Sequence, residues 1–424
     1  MTESPDSPAS RGRVAVAALA LATFTVVTAE MLPVGLLTPM GRALHLSEGG
    51  AGLALTVTGL VAALAAPLVA PALGRTDRRT ALVVLMAVLA AGNLLTAAAP
   101  GAAVMVAGRV LVGLAMGGVW AVAAGLAPRL VPPDRVPGAT ALVFSGIAIA
   151  SVLGVPAGTW IGRLGGWRAA FTVTAVLGGL VALVLRRALP PLPAERAVRL
   201  GGAPRLLREP GPRTALLVVA LLVTGHFAAY TYVRPVLEQT RGVGAGAIGA
   251  LLLVYGVAGV AGNFAAGRAA ARSPRVTLLV LSGLLALTVP LLPPLGAALL
   301  VVWGLAYGGV SVSAQSWVMA AAPDDRETGS ALFASVFNAA IALGALLGGR
   351  AADGFGVAAA LWLGGAGTDS NPGPGEVPGM LRLPPGRRSG TNRSTGPGHR
   401  VAEQGGPAWA DRRYGRWAGR VPCR

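Results

Sequence analysis

The chain has 424 residues, of which 54% are hydrophobic and only 12% charged, with a mean hydropathy of +0.66 and a formal charge of +18. Soluble domains are about 25% charged, so the composition argues against a water-soluble globule. All 35 basic residues are arginine, which excludes Schiff-base lysine chemistry and a Walker A phosphate loop, and so argues against ATP as the direct energy source. The single cysteine, Cys423, and three scattered histidines (His45, His226, His399) leave no disulfide, no metal cage and no cofactor to expect. Most of the arginines stand singly between long apolar runs, so the basic charge points to membrane topology, not to nucleic acid.

A bilayer core of about 30 Å takes roughly 20 apolar residues to cross. On that measure the predicted spans are 14–40, 49–73, 80–99, 102–128, 138–163 and 167–189, then 213–238, 245–271, 275–293, 297–321 and 327–349. The first is too long for a signal-peptide core and is followed by others, so it is read as an uncleaved helix. A twelfth span opens near Val357 and loses its apolar character at Ala366, about half a crossing. The predicted organisation is a cytoplasmic N-terminus (1–13), a six-helix bundle (14–189), a linker (190–212), an incomplete second bundle (213–366) and a tail (367–424). With the N-terminus inside, 18 arginines fall on the cytoplasmic side and six outside, the bias expected of a multi-pass protein of a bacterial inner membrane.

The halves repeat. Gly113-Leu114-Ala115-Met116-Gly117-Gly118-Val119 returns as Gly304-Leu305-Ala306-Tyr307-Gly308-Gly309-Val310, and Gly74-Arg75 and Gly166 recur near Gly267-Arg268 and Gly356 at almost the same offset. Two six-span halves in the same orientation are the plan of parallel-repeat transporters. The tail does not fit this plan. Residues 367–424 hold 12 Gly, 8 Pro and 10 Arg, a composition without helical periodicity. A frameshift in a GC-rich gene accounts for it; a native basic tail is the alternative.

Three segments resemble motifs of the major facilitator superfamily, in its twelve-helix drug:proton antiporter group. Gly74-Arg75-Thr76-Asp77-Arg78-Arg79 is similar to the loop motif between helices 2 and 3, although it lacks the usual glycine between the arginines. Gly108 to Gly113 is similar to the helix 4 motif, and Gly146 through Gly154-Val155-Pro156-Ala157-Gly158 to the helix 5 antiporter motif. Within the superfamily, Leu36 to Met40, Thr76 to Arg79, Arg129 to Pro133 and Thr231 to Val236 resemble bacterial purine ribonucleoside efflux pumps, and arabinose efflux permease-like proteins share part of the pattern. The resemblance implies an all-α polytopic fold of two bundles and alternating access. It further implies a gating role for Gly74, Asp77, Arg78 and Arg79, and a leak-preventing seal at Gly146, Gly154, Pro156 and Gly158. Ordinary small-residue packing is the other reading of those glycines.

Glu30 is the sole acid inside the first span. An ionisable group there costs at least about 2.5 kcal/mol, which makes it a functional candidate. Counting 1.5 Å per residue puts Glu30 and Arg109 at similar depths, where the two can pair. They would serve either proton coupling or helix packing alone. The second half offers uncharged groups as substrate-binding candidates: His226, Tyr230 and Tyr232 in the seventh span, Tyr307, Ser311 and Gln315 on one stripe of the tenth, and Asn338 in the eleventh. Such a set suits stacking and hydrogen bonding to a nucleoside, or else helix-to-helix contacts. The expected function is a proton-coupled exporter of a small organic solute, purine ribonucleosides leading, acting as a monomer in the lipid bilayer. A multidrug or sugar antiporter, or a non-transporting membrane sensor, are the alternatives; no motif supports an enzyme.

Overall fold

The computed structural model describes residues 8–123, 126–193, 203–240, 242–244, 246–323 and 326–369. Among these residues the regular structure is helical throughout, as hydrocarbon requires of a chain that must satisfy its backbone polar groups within each segment. The first half comprises α1 (Pro8–Leu44), α2 (Glu48–Ala72), α3 (Arg78–Ala97), α4 (Ala102–Ala123), the single turn α5 (Ala127–Leu130) and α6 (Val136–Ala188). The second comprises α7 (Ala203–Arg208), α8 (Pro210–Tyr230), α9 (Val233–Gln239), α10 (Ile248–Ala270), α11 (Pro274–Leu295), α12 (Leu299–Gly308), α13 (Val310–Ala321), α14 (Arg326–Phe355) and α15 (Val357–Asp369). Ten stretches are long and apolar enough to cross a membrane. One of them, α6, bends at Gly166, whose φ of 79° only glycine adopts readily, and so supplies two crossings.

Several expected boundaries move, each for a local reason. The span expected at 213–238 stops at Tyr230 and resumes as α9. Pro235 has no N–H for the carbonyl of Thr231, and its ring crowds that carbonyl. The span expected at 297–321 divides at Gly309 into α12 and α13. The span expected at 102–128 ends at Ala123. The short twelfth span is α15, 13 residues long; most of the 367–424 segment lies outside the described residues.

The repeat is structural. Gly356, the counterpart of Gly166, also turns the chain with a positive φ, 88°. A Cβ on Gly113 would stand 2.6 Å from the carbonyl oxygen of Thr58, and one on Gly117 2.7 Å from that of Ala62. In the second half, Gly304 meets the carbonyl of Tyr255 and Gly308 that of Gly259. The same Gly-x3-Gly face thus lets the fourth helix of each half cross the second at backbone contact, where lipid gives no hydrophobic drive and close packing must hold helices together.

One face of the molecule carries the start of α1, the 74–77 loop and the segment after α6; we call it the N-terminal face. Contact between the halves lies toward the opposite face. There Gly49 meets Gly349 and Asp353, Gly59 meets Asn338 and Ala342, Gly249 meets the Trp160 ring, and Gly256 meets the backbone of Val152. The last contact has a cause in the sequence. Pro156 cannot donate to the carbonyl of Val152, so the helix is weakened where α10 approaches it. A buried cluster from Leu36, Met40 and Leu55 to Tyr232, Val236 and Ile248 seals this seam. Toward the N-terminal face, Leu64 and Leu68 of α2 and Phe264 of α10 are exposed.

A polar latch closes the seam's rim. Ser47 caps α2, its Oγ accepting from the Gly50 N–H at 3.0 Å. The same hydroxyl donates to Asp353 Oδ2 at 2.9 Å, and the Gly49 N–H donates to Asp353 Oδ1 at 2.9 Å. A carboxylate of the second half thereby caps a helix of the first. Arg234 adds a bond to the carbonyl of Gly35 and an ion pair with Glu238 at 2.9 Å. Caps of this kind contribute about 1 kcal/mol. Asp353→Ala is therefore expected to shift the population open at this face by roughly fivefold, read as a broadened distance distribution between spin labels placed on the rims of α2 and α14. An unchanged distribution would show that the cap does not hold the seam.

Candidate functional site

Arg109 and Glu30 are both buried, at 0% and 3% exposure. Gly108, beside Arg109, would bring a Cβ against Thr96 and the Gly92 carbonyl, so the motif's glycine seats α4 deep enough to carry a guanidinium into the bundle. That guanidinium is caged. Nε donates to the Ala54 carbonyl at 3.0 Å and to Thr58 Oγ1 at 2.9 Å, and Nη2 to the Ala29 carbonyl at 3.0 Å. Its Cζ lies 5.9 Å from the Phe171 ring centroid, within cation–π range. The expected direct ion pair is not formed. Arg109 bonds the carbonyl next to Glu30 instead, because the α1 and α2 carbonyls lie nearer its fork. Glu30 remains within electrostatic reach of Arg109, and of Tyr307 in the other half. Its Oε1 is buried without a hydrogen-bond partner among the described residues, as is Nη1 of Arg109.

Three of the second-half candidates come together. The rings of Tyr307, His226, Tyr230 and Tyr255 stack in series, with centroids 3.3, 5.3 and 4.9 Å apart and interplanar angles of 5°, 21° and 24°. Trp303 stands edge-on to the column, and its indole Nε1 donates to His226 Nδ1 at 3.1 Å. Tyr255 and Trp303 escaped the sequence reading. Trp303 lies one turn before Tyr307, so extending the stripe by four residues finds it; Tyr255 has no aromatic or polar residue three or four positions away and gives no such signal.

The other candidates separate from this column. Tyr232 is at the seam, donating to the Ala345 carbonyl at 2.7 Å with its hydroxyl against Gly52 and Gly349. Two residues beyond Tyr230, it points to the other side of the helix, because i and i+2 do not share a face. Asn338 bonds back to the Ala334 carbonyl of its own helix at 2.8 Å. Ser311 and Gln315 continue the Tyr307 stripe as exposed residues, and Gln315 lines a cavity of about 460 Å³ with Val312, Ser316 and Met319.

The motif loops act within the first half in this conformation. Gly74 has φ 45°. Asp77 caps α3 through the Arg79 N–H at 3.3 Å and also accepts from the Leu192 N–H at 2.6 Å. Arg78 N–H donates to the Leu192 carbonyl at 2.9 Å, and Arg79 to that of Arg186. Gly146, Gly154 and Gly158 all face α1, against Ala20 and Thr23, Thr28 and Leu32 in turn. They pack α6 on α1, while Trp160 and Val152, pointing elsewhere on α6, meet the other half.

The Major Facilitator Superfamily model matches residues 19–345. The chain belongs to that superfamily. It is 34% identical over 357 residues to the purine ribonucleoside efflux pump NepI of Salmonella paratyphi A, and 33% identical to that of Escherichia coli K12; each alignment covers 83% of this chain and 90% of the relative. Among solved structures it resembles a bacterial homologue of the human lysosomal transporter Spinster (TM-score 0.64, 18% identity, 84% of this chain and 93% of the other). It also resembles a variant of the nucleoside transporter NupG (TM-score 0.66, 13% identity, 84% and 97%). The chain is thus a multi-pass transporter of the superfamily, not an enzyme, with the all-α fold its sequence predicts.

Proposed function

We propose that the protein exports purine ribonucleosides across a bacterial cytoplasmic membrane in exchange for protons, as a monomer with its N-terminus inside. The observation that carries the coupling is the contrast at the buried pair. Arg109 is fixed by three acceptors, whereas Glu30 Oε1 has none of its bonds made. A carboxylate in that position must be neutralised or hydrogen-bonded before the halves close over it. Ribose hydroxyls donate to the charged form and favour it, while dehydration favours the protonated form. Ligand and proton therefore compete for Glu30, and either one, not neither, lets the carrier cycle. That competition is antiport. The substrate assignment draws on the named relatives and on the aromatic column, which suits a stacked base.

In this scheme the 74–79 loop and its arginines govern closure at the N-terminal face, and the helix 5 glycines keep α1 and α6 tight so that protons do not leak. Tyr232 and Asn338 serve the seam instead of the ligand. Residues 367–424 are read as out of frame; an apolar stretch in another frame after codon 366 supports this, and its absence from both contradicts it. Everted vesicles given an acidic lumen and labelled adenosine test the function. Gradient-dependent accumulation is expected. Equal uptake without a gradient would exclude proton coupling, and uptake of sugars or cationic dyes in place of adenosine would favour a sugar or multidrug antiporter.

A further inference from the structure

The ring nitrogens of His226 have different tasks. An indole N–H can only donate, so the 3.1 Å bond from Trp303 Nε1 makes His226 Nδ1 the acceptor. In the neutral imidazole the proton then sits on Nε2. That N–H is buried, on a residue 1% exposed, and has no acceptor among the described residues. A buried donor left unmade is costly, and here it lies in the plane of a ring already sandwiched by aromatic neighbours, with Tyr307 stacked on it at 3.3 Å.

We infer that Trp303 is a positioning residue that locks His226 as an Nε2–H donor, and that this donor reads an in-plane acceptor on a planar heteroaromatic ligand lying edge to edge with the imidazole at the flank of the column. The inference rests on the nucleoside reading and adds to it the atom that selects the base. Stacking alone tolerates any flat ring. A fixed donor does not, because a ligand without an acceptor at that point leaves the N–H unpaired. Trp303 is itself fully buried and acts only through the imidazole.

The test has two arms on the full-length protein. With histidine labelled by 15N, the His226 signal, assigned by removing the others with His45→Gln and His399→Gln, should show an unprotonated Nδ1 and a protonated Nε2. Trp303→Phe, which keeps a ring but loses the donor, should give mixed tautomers. In binding, adenosine is compared with its 1-, 3- and 7-deaza analogues. One analogue should bind wild-type protein roughly tenfold more weakly, His226→Phe should bind all four alike, and Trp303→Phe should narrow the discrimination. Equal binding of all four to wild type, or a protonated Nδ1, overturns the inference while leaving nucleoside export standing. Failure of adenosine itself to bind overturns both.

Discussion

Glu30→Gln should reduce gradient-driven export to background and weaken ligand binding, leaving exchange of labelled for unlabelled ligand slower and indifferent to pH. Glutamine keeps the shape and the hydrogen-bonding capacity of the protonated acid but cannot lose a proton. The carrier is then fixed in its neutralised form, which closes without cargo and gains nothing from a pH difference. Exchange slows because the ligand hydroxyls no longer meet a carboxylate to donate to, and it loses its pH dependence because no proton competes for the site. Because Arg109 donates its bonds to Ala29, Ala54 and Thr58, not to Glu30, the substitution should not disturb the packing of α1, α2 and α4. Thermal stability in detergent is the control: a large loss would make Glu30 structural, and normal driven export would remove it from coupling.

Gly308→Val should prevent the second half from assembling. Gly308 lies against the backbone carbonyl of Gly259, so no rotamer change makes room for a side chain, and α12 must move off α10. Overpacking of this sort costs about 1–3 kcal/mol where side chains can yield, and a backbone contact cannot. The expected result is loss of folded protein from the membrane fraction and protease cleavage in the second half before the first. The equivalent Gly117→Val should reverse that order, since Gly117 holds α4 on α2. Normal yield of both variants would show that the repeated crossings are not the packing contacts that hold each half.

How much of this was legible beforehand follows from what periodicity can carry. Span number, the repeat and the membrane character are properties of long apolar runs, and they survive. The breaks at Thr231–Tyr232 and Gly309 depend on a proline four residues on and on a glycine pair, signals that a hydropathy window averages away. Glu30 and Arg109 were found because a charge in an apolar run is conspicuous, and depth counting placed them near each other. The partners of Arg109 were not foreseeable, because two of its three acceptors are backbone carbonyls of α1 and α2 that leave no mark in the sequence, and the third, Thr58, is one threonine among several in the spans. The Asp353 latch was missed for the opposite reason: an acid near a helix end looks like any solvated charge until the other half is seen to bring α2 beneath it.

The most direct measurement is on purified protein in liposomes loaded with labelled adenosine and a pH-sensitive dye. On acidifying the outside, adenosine efflux should accelerate together with acidification of the lumen beyond that of empty carrier, and both responses should vanish in Glu30→Gln. Efflux that proceeds at the same rate with and without the gradient, with no extra proton entry, would contradict proton-coupled export.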